Sequence, residues 1–340
     1  MTDASAPQPK DLEDPLQLRA TTHRVRTATR AAGLSDDTVR RGVQIAVLTP
    51  SPVEWRRWLS ATLAFLGAAL LVAAVVMFVA YNWSRIGRFG KFALLEIAIV
   101  AVILIAWRKL PKLTGQISLF SASVLVGPLL VIYGQTYQTG ADPYGLFFTW
   151  ALLTVPWAIV ARFGANWILV LLLIDVALGL YFAQILAPRS IAQALVYPLL
   201  VAAIHAVAAV LWEAQLERKP PSIPEPWALR VIAFVGFAAL FFPAAYFVME
   251  DSDAGLPGIV GLVALVAAVL GCIRYYSRTR SDRFIWTLAG VAGMGLLTVV
   301  AARLVFDLLD LEELGLFVMA AVVVCQITYG VKLYRRARAS

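Results

Sequence analysis

From Trp58 onward the chain is a succession of apolar runs, each about 18–25 residues long and separated by short polar joints, the length an α-helix needs to cross ~30 Å of hydrocarbon. The runs fall at residues 57–82, 89–108, 115–134, 144–161, 165–187, 191–213, 227–249, 256–275, 284–305 and 312–333. Lipid offers no hydrogen bonds, so every backbone N–H and C=O must find a partner within the chain. Runs of this length are therefore helices, whereas a barrel would show alternating segments of about ten residues. The pattern predicts an all-α polytopic bundle of about ten transmembrane helices. A hydrophobic content of 61% and a mean hydropathy of +0.78 agree, because a soluble domain could not cover that much apolar surface.

Basic residues are retained on the cytoplasmic side of a membrane, and alternate joints differ in their content of base. One set holds Arg108, Lys109 and Lys112, then Arg162, then Arg218 and Lys219, then Arg274, Arg278, Arg280 and Arg283, and finally the C-terminal tail. The other set is poor in base and carries Glu250–Asp253 and the acidic group Asp307, Asp310, Glu312 and Glu313. Both termini are thus expected inside. The joint SRIGRFGK goes against the trend, placing Arg85, Arg88 and Lys91 on the expected outer side. The net charge of +8 needs no nucleic acid, since anionic headgroups lie next to the basic joints. Cys272 and Cys325 sit within apolar runs without a CxxC, and no P-loop or dinucleotide fingerprint is present, so neither a metal site nor a cofactor is expected.

Residues 1–54 are expected to form a cytoplasmic tail without a cleavable signal, its first 14 residues disordered. Two short basic helices follow, over 16–32 and from about Ser35 to Leu48, with Gly33 suited to a helix C′ position and Ser35 to an N-cap. They either engage a cytoplasmic partner or anionic lipid, or stand solvated beside the membrane. Trp55, Arg56, Arg57 and Trp58 mark the headgroup level.

The most distinctive strings are AYNW (Ala80–Trp83), with Lys91 closing the next joint, and GQTYQTGADPYGLFFTW (Gly134–Trp150). They resemble the bacterial membrane proteins of domain-of-unknown-function family 2157, over about residues 30–185, with ADP here where many relatives have GD. The resemblance implies a multi-pass protein of the bacterial inner membrane and unity of the first half, 55–187, as against a second half, 188–340. That family has no assigned activity, so the resemblance supplies no chemistry.

By this threading Asn82, Trp83, Arg88, Lys91, Gln135, Tyr137, Asp142, Tyr144 and Trp150 gather at the outer ends of the first four spans, with Glu96 about two turns deeper. One reading is a pocket for a small polar or anionic ligand or a lipid headgroup. Arg88 and Lys91 would attract it, Gln135 and Asp142 orient it, and Trp83 and Trp150 wall it. Gly134 and Gly140 would let the third joint dip back as a re-entrant segment. The other reading is structural, with aromatic anchors and an ordinary Asp-Pro turn.

Glu96, Asp175 and His205 lie inside apolar runs, where an ionisable group is costly unless paired or wetted. Equal rises counted from the APRS turn (Ala187–Ser190) bring Asp175 opposite about residue 202, less than one turn from His205. Such a pair can carry a proton or cation, or can clamp two helices. Arg303 is a candidate partner for Glu96. Pro128, Pro156, Pro198 and Pro243 fall inside spans and are expected to bend them, while GLPGIVG and AGVAGMG suit close helix packing. The favoured reading is a transporter-like or lipid-handling protein. A scaffold or sensor with a cytoplasmic partner is the alternative, and an intramembrane enzyme using His205 or Asp142 as base lacks a nucleophile or metal set to support it.

Overall fold

The computed structural model describes residues 32–33, 35, 37–38, 52–138, 140, 142–217, 226–278, 282–308 and 312–339. The chain divides into two compact units, Met1–Gly67 and Ala68–Ser340. In the first unit Gly33 takes φ +66°, and Ser35 Oγ accepts from the backbone N–H of Thr38 at 3.5 Å. These are the local geometries of a helix stop and a helix start. Most of the two tail helices expected from the sequence lies outside the described residues. Trp55 and Trp58 meet edge to face with centroids 5.6 Å apart.

Ten helices are long and apolar enough to cross a membrane, and the described residues contain no strand. They are α1 (Pro52–Tyr81), α2 (Arg88–Lys109), α3 (Leu113–Tyr137), α4 (Pro143–Ala161), α5 (Gly164–Tyr181), α6 (Val196–Glu217), α7 (Pro226–Met249), α8 (Asp251–Arg278), α9 (Arg283–Arg303) and α10 (Glu312–Ala339). A single turn, Ile191–Ala194, precedes α6, and π-helical turns at Phe182–Leu186 and Leu304–Leu308 extend α5 and α9. The helices are apolar on outward faces too, as Leu316 and Phe317 of α10 show, which is what contact with acyl chains requires.

Neighbours in sequence pack as hairpins, α2 on α3, α4 on α5 and α7 on α8. Lipid tails are as apolar as leucine, so close packing and a few hydrogen bonds must hold the helices together. In the first half Leu95, Ile99, Leu125 and Ile132 form one buried cluster toward the α1–α2 end. Ala106, Ile117, Ala161 and Phe163 form another toward the α4–α5 end. In the second half α7 is central, touching α6, α8 and α9, around Phe237, Ala244, Leu265 and Ala289. The glycine run of α8 acts as the sequence suggested: a Cβ on Gly261 would stand 2.8 Å from Pro243 of α7. Asp282 caps α9 by accepting from Phe284 N–H at 2.9 Å and Ile285 N–H at 3.3 Å, and its other oxygen accepts from Arg230 of α7 at 3.2 Å. Thr298 of α9 donates to Gln326 of α10 at 2.7 Å.

Two local expectations need correction. The α3–α4 joint is not re-entrant: α3 continues through Gly134 to Tyr137, Gln138 (φ 48°) and Gly140 (φ 58°) turn the chain in the left-handed region, and Pro143 opens α4. Proline at the first helical position costs nothing, because its missing N–H would lack a partner there anyway. Pro198 lies inside the apolar span Ile191–Gln215, in the first turn of α6 just after the turn at Leu195. Arg303 does not serve Glu96; its Nη1 donates to the carbonyl of Val248 at the end of α7, while Glu96 lies on the exposed face of α2.

Candidate functional site

The ends of α1–α4 that meet near the AYNW string enclose a groove of about 370 Å³. Val79, Ala80 and Trp83 come from the α1 end, Leu95 from α2, Val131 from α3, and Phe147 and Trp150 from α4. Its lining is apolar. At the Trp83 wall the Lys91 Nζ stands 3.4 Å from the centroid of the indole, and Lys91 is only 9% exposed. A cation over a tryptophan face gains roughly 0.5–2 kcal/mol, the more so when desolvated. Lys91 nevertheless has no carboxylate partner among the described residues. It also sits in the first turn of α2, where the helix dipole presents its positive end and no acidic side chain compensates. Both features make this spot receptive to an anion.

The other residues expected at this end take different places. Asn82 Nδ2 donates to Phe78 O at 3.0 Å, which closes the last turn of α1. Arg88 lies exposed, its guanidinium 4.9 Å from the ring of Phe89. Tyr137 packs on Tyr133 (4.9 Å) and on Phe92 of α2 (6.3 Å), and Tyr144 meets Tyr181 of α5 edge-on at 5.3 Å. Gln135 and Asp142 are exposed and line no part of the groove. Trp83 and Trp150 line the groove together and Lys91 stacks on Trp83; Glu96, Gln135 and Asp142 are not in that lining.

Trp150 is fixed from behind. Its Nε1–H donates to Ser123 O at 2.7 Å. Ser123 Oγ donates to Leu119 O at 3.0 Å and accepts from Asn166 Nδ2 at 2.9 Å, so one serine ties α3 to α4 and to α5. Ser123 and Asn166 are completely buried, as is Thr154, whose hydroxyl returns to Trp150 O at 2.9 Å. Gly127 makes room for the indole, since a Cβ there would lie 2.4 Å from the ring. Sequence reasoning singled out neither Ser123 nor Asn166. The one available signal was a lone Asn opening an otherwise apolar span.

Asp175 of α5 and His205 of α6 do meet, with Nε2 3.5 Å from Oδ2. His205 is 3% exposed and its Nδ1 lies 3.0 Å from Val201 O, an atom that only accepts, so Nδ1 carries a proton. An imidazole protonated there alone would point its Nε2 lone pair at a carboxylate. A proton between Nε2 and Oδ2 would let the two groups hydrogen-bond. Tyr197 OH donates to the backbone carbonyl of Asp175 at 3.3 Å, and Asp175 Oδ1 is buried with no hydrogen-bond partner.

Residues 38–167 match the model of a family described as Predicted membrane protein (DUF2157). That stretch is similar to the family. The DUF2157 region includes α1–α4 and the turn into α5, and therefore the whole groove, Lys91 and the seat of Trp150. The resemblance carried by AYNW and GQTYQTGADPYGLFFTW thus holds over 38–167. Neither a curated protein nor a solved structure matches the chain. With its ten apolar helices the protein is an all-helical, multi-pass membrane protein.

Proposed function

We propose that this is a lipid-handling protein whose DUF2157 region holds an acyl chain in the α1–α4 groove and an anionic headgroup at its mouth. The observation that carries this reading is a buried lysine with no carboxylate partner among the described residues, stacked on Trp83 in the wall of an apolar groove. An apolar cavity with a few convergent polar groups is the usual form of a small-molecule site. With the basic joints retained in the cytoplasm, both termini are inside and the groove faces the outer leaflet. Arg85, Arg88 and Lys91, which run against that charge rule, are then accounted for by the headgroup they attract. Retention of fluorescent phosphatidylglycerol against phosphatidylcholine by the purified protein tests the reading. Lys91→Gln is expected to lower the preference for the anionic lipid about tenfold, the worth of one charge-assisted contact. A parent protein that retains both lipids equally would dismiss it.

A second reading, a proton-coupled carrier of such a ligand in a bacterial inner membrane, is favoured by the Asp175–His205 contact. Buried ionisable pairs within spans mark proton relays in many pumps and transporters. Proteoliposomes under an imposed pH gradient are expected to take up protons with the parent and not with Asp175→Asn. Equal uptake by the two leaves the pair as a helix clamp.

A further inference from the structure

The hairpin of α5 and α6 is loose, because α5 packs mainly on α4 and α6 on α7. A second cavity, of about 700 Å³, opens between them at the α4–α5 end of the bundle, opposite to the first. Ile159, Ile174, Val207 and Leu211 form its apolar wall. Arg162, Trp212 and Gln215 stand together at its mouth, at the C-terminal ends of α4 and α6. Arg162 ends α4 in the left-handed region (φ 47°), its backbone N–H bonded to Ala158 O at 3.2 Å. Its exposed guanidinium has no carboxylate partner among the described residues. Trp212 Nε1 is buried and makes no hydrogen bond.

We propose that this cavity is a binding site for one anionic phospholipid of the adjoining leaflet. Its acyl chain lies between α5 and α6, and its phosphate is held by Arg162 at the mouth. Charge complementarity selects the headgroup, since guanidinium and phosphate form strong paired hydrogen bonds. The apolar wall takes the tail and offers nothing to a free anion. The site stands whether or not the α1–α4 groove binds lipid.

The test uses the full chain in nanodiscs containing phosphatidylglycerol or phosphatidylcholine, each with the same photoactivatable acyl chain, and maps the labelled residues by mass spectrometry. Labelling at Ile174, Val207 and Leu211 is expected to be stronger from phosphatidylglycerol. That preference should fall about tenfold in Arg162→Gln and persist in Arg162→Lys. Ala208→Leu fills the cavity and should lower labelling from both lipids. Equal labelling of the parent by the two lipids would overturn the proposal, as would an undiminished preference in Arg162→Gln or competition by inorganic phosphate. Labels in α1–α3 report the other groove on separate peptides, so either site can fail without the other.

Discussion

Trp150 and Trp212 each wall an apolar cavity, one at either end of the bundle, yet their indole N–H groups have opposite fates. Trp150 donates to Ser123 O, behind which Asn166 and Thr154 complete a buried polar tie among α3, α4 and α5. Trp212 donates to nothing. The first ring is part of the frame, locked in place before any ligand arrives. The second has its N–H buried and unpaired among the described residues, in the wall of a cavity that Arg162 also lines. The tie itself is not fully satisfied, since Asn166 Oδ1 is buried without a hydrogen-bond partner among the described residues.

The largest effect that would test this contrast is at Gly127. Gly127→Ala places a methyl group against the Trp150 ring and is expected to cost about 1–3 kcal/mol, as overpacking does, seen as a lower melting temperature in detergent. Gly271→Ala, where nothing lies within 4 Å of an added Cβ, should cost nothing. Next come the tryptophans themselves. Trp150→Phe and Trp212→Phe lose the same ring volume, so the difference between them isolates the N–H. Trp150→Phe is expected to be worse by about 1 kcal/mol, the net value of an internal hydrogen bond. Equal losses would erase the distinction between frame and open donor. The smallest effect is expected for Gln135→Ala, whose exposed side chain lines neither cavity; a change within about 0.5 kcal/mol in the same melting assay is expected. A large loss there would return the α3–α4 joint to the site.

Much of this was legible along the chain. The spans follow from run length, and Asp175 meets His205 because two helices joined by a tight turn rise equally from it. Trp83 and Lys91 stand close together because AYNW ends one helix and Lys91 opens the next. The polar tie was hidden for a physical reason: Ser123 and Asn166 are on helices apolar all round, so hydrophobic periodicity does not tell which face of each turns inward. Trp150, about two turns into α4, has the composition of an interface anchor and the position of a core residue. Gln135 and Asp142 have the composition of ligand contacts, yet their faces of α3 and of the joint look outward.

By itself the sequence determined the solvent, the secondary structure and the order of crossings, because the cost of an unpaired peptide group in hydrocarbon depends on local composition and length alone. Which side chains share a cavity, and which donors stay open, was decided only by the tertiary structure. Helices uniformly apolar around their circumference choose their facing sides through shape, a glycine beneath a ring or a serine within reach of an asparagine, and those matches exist only once the neighbours are in place.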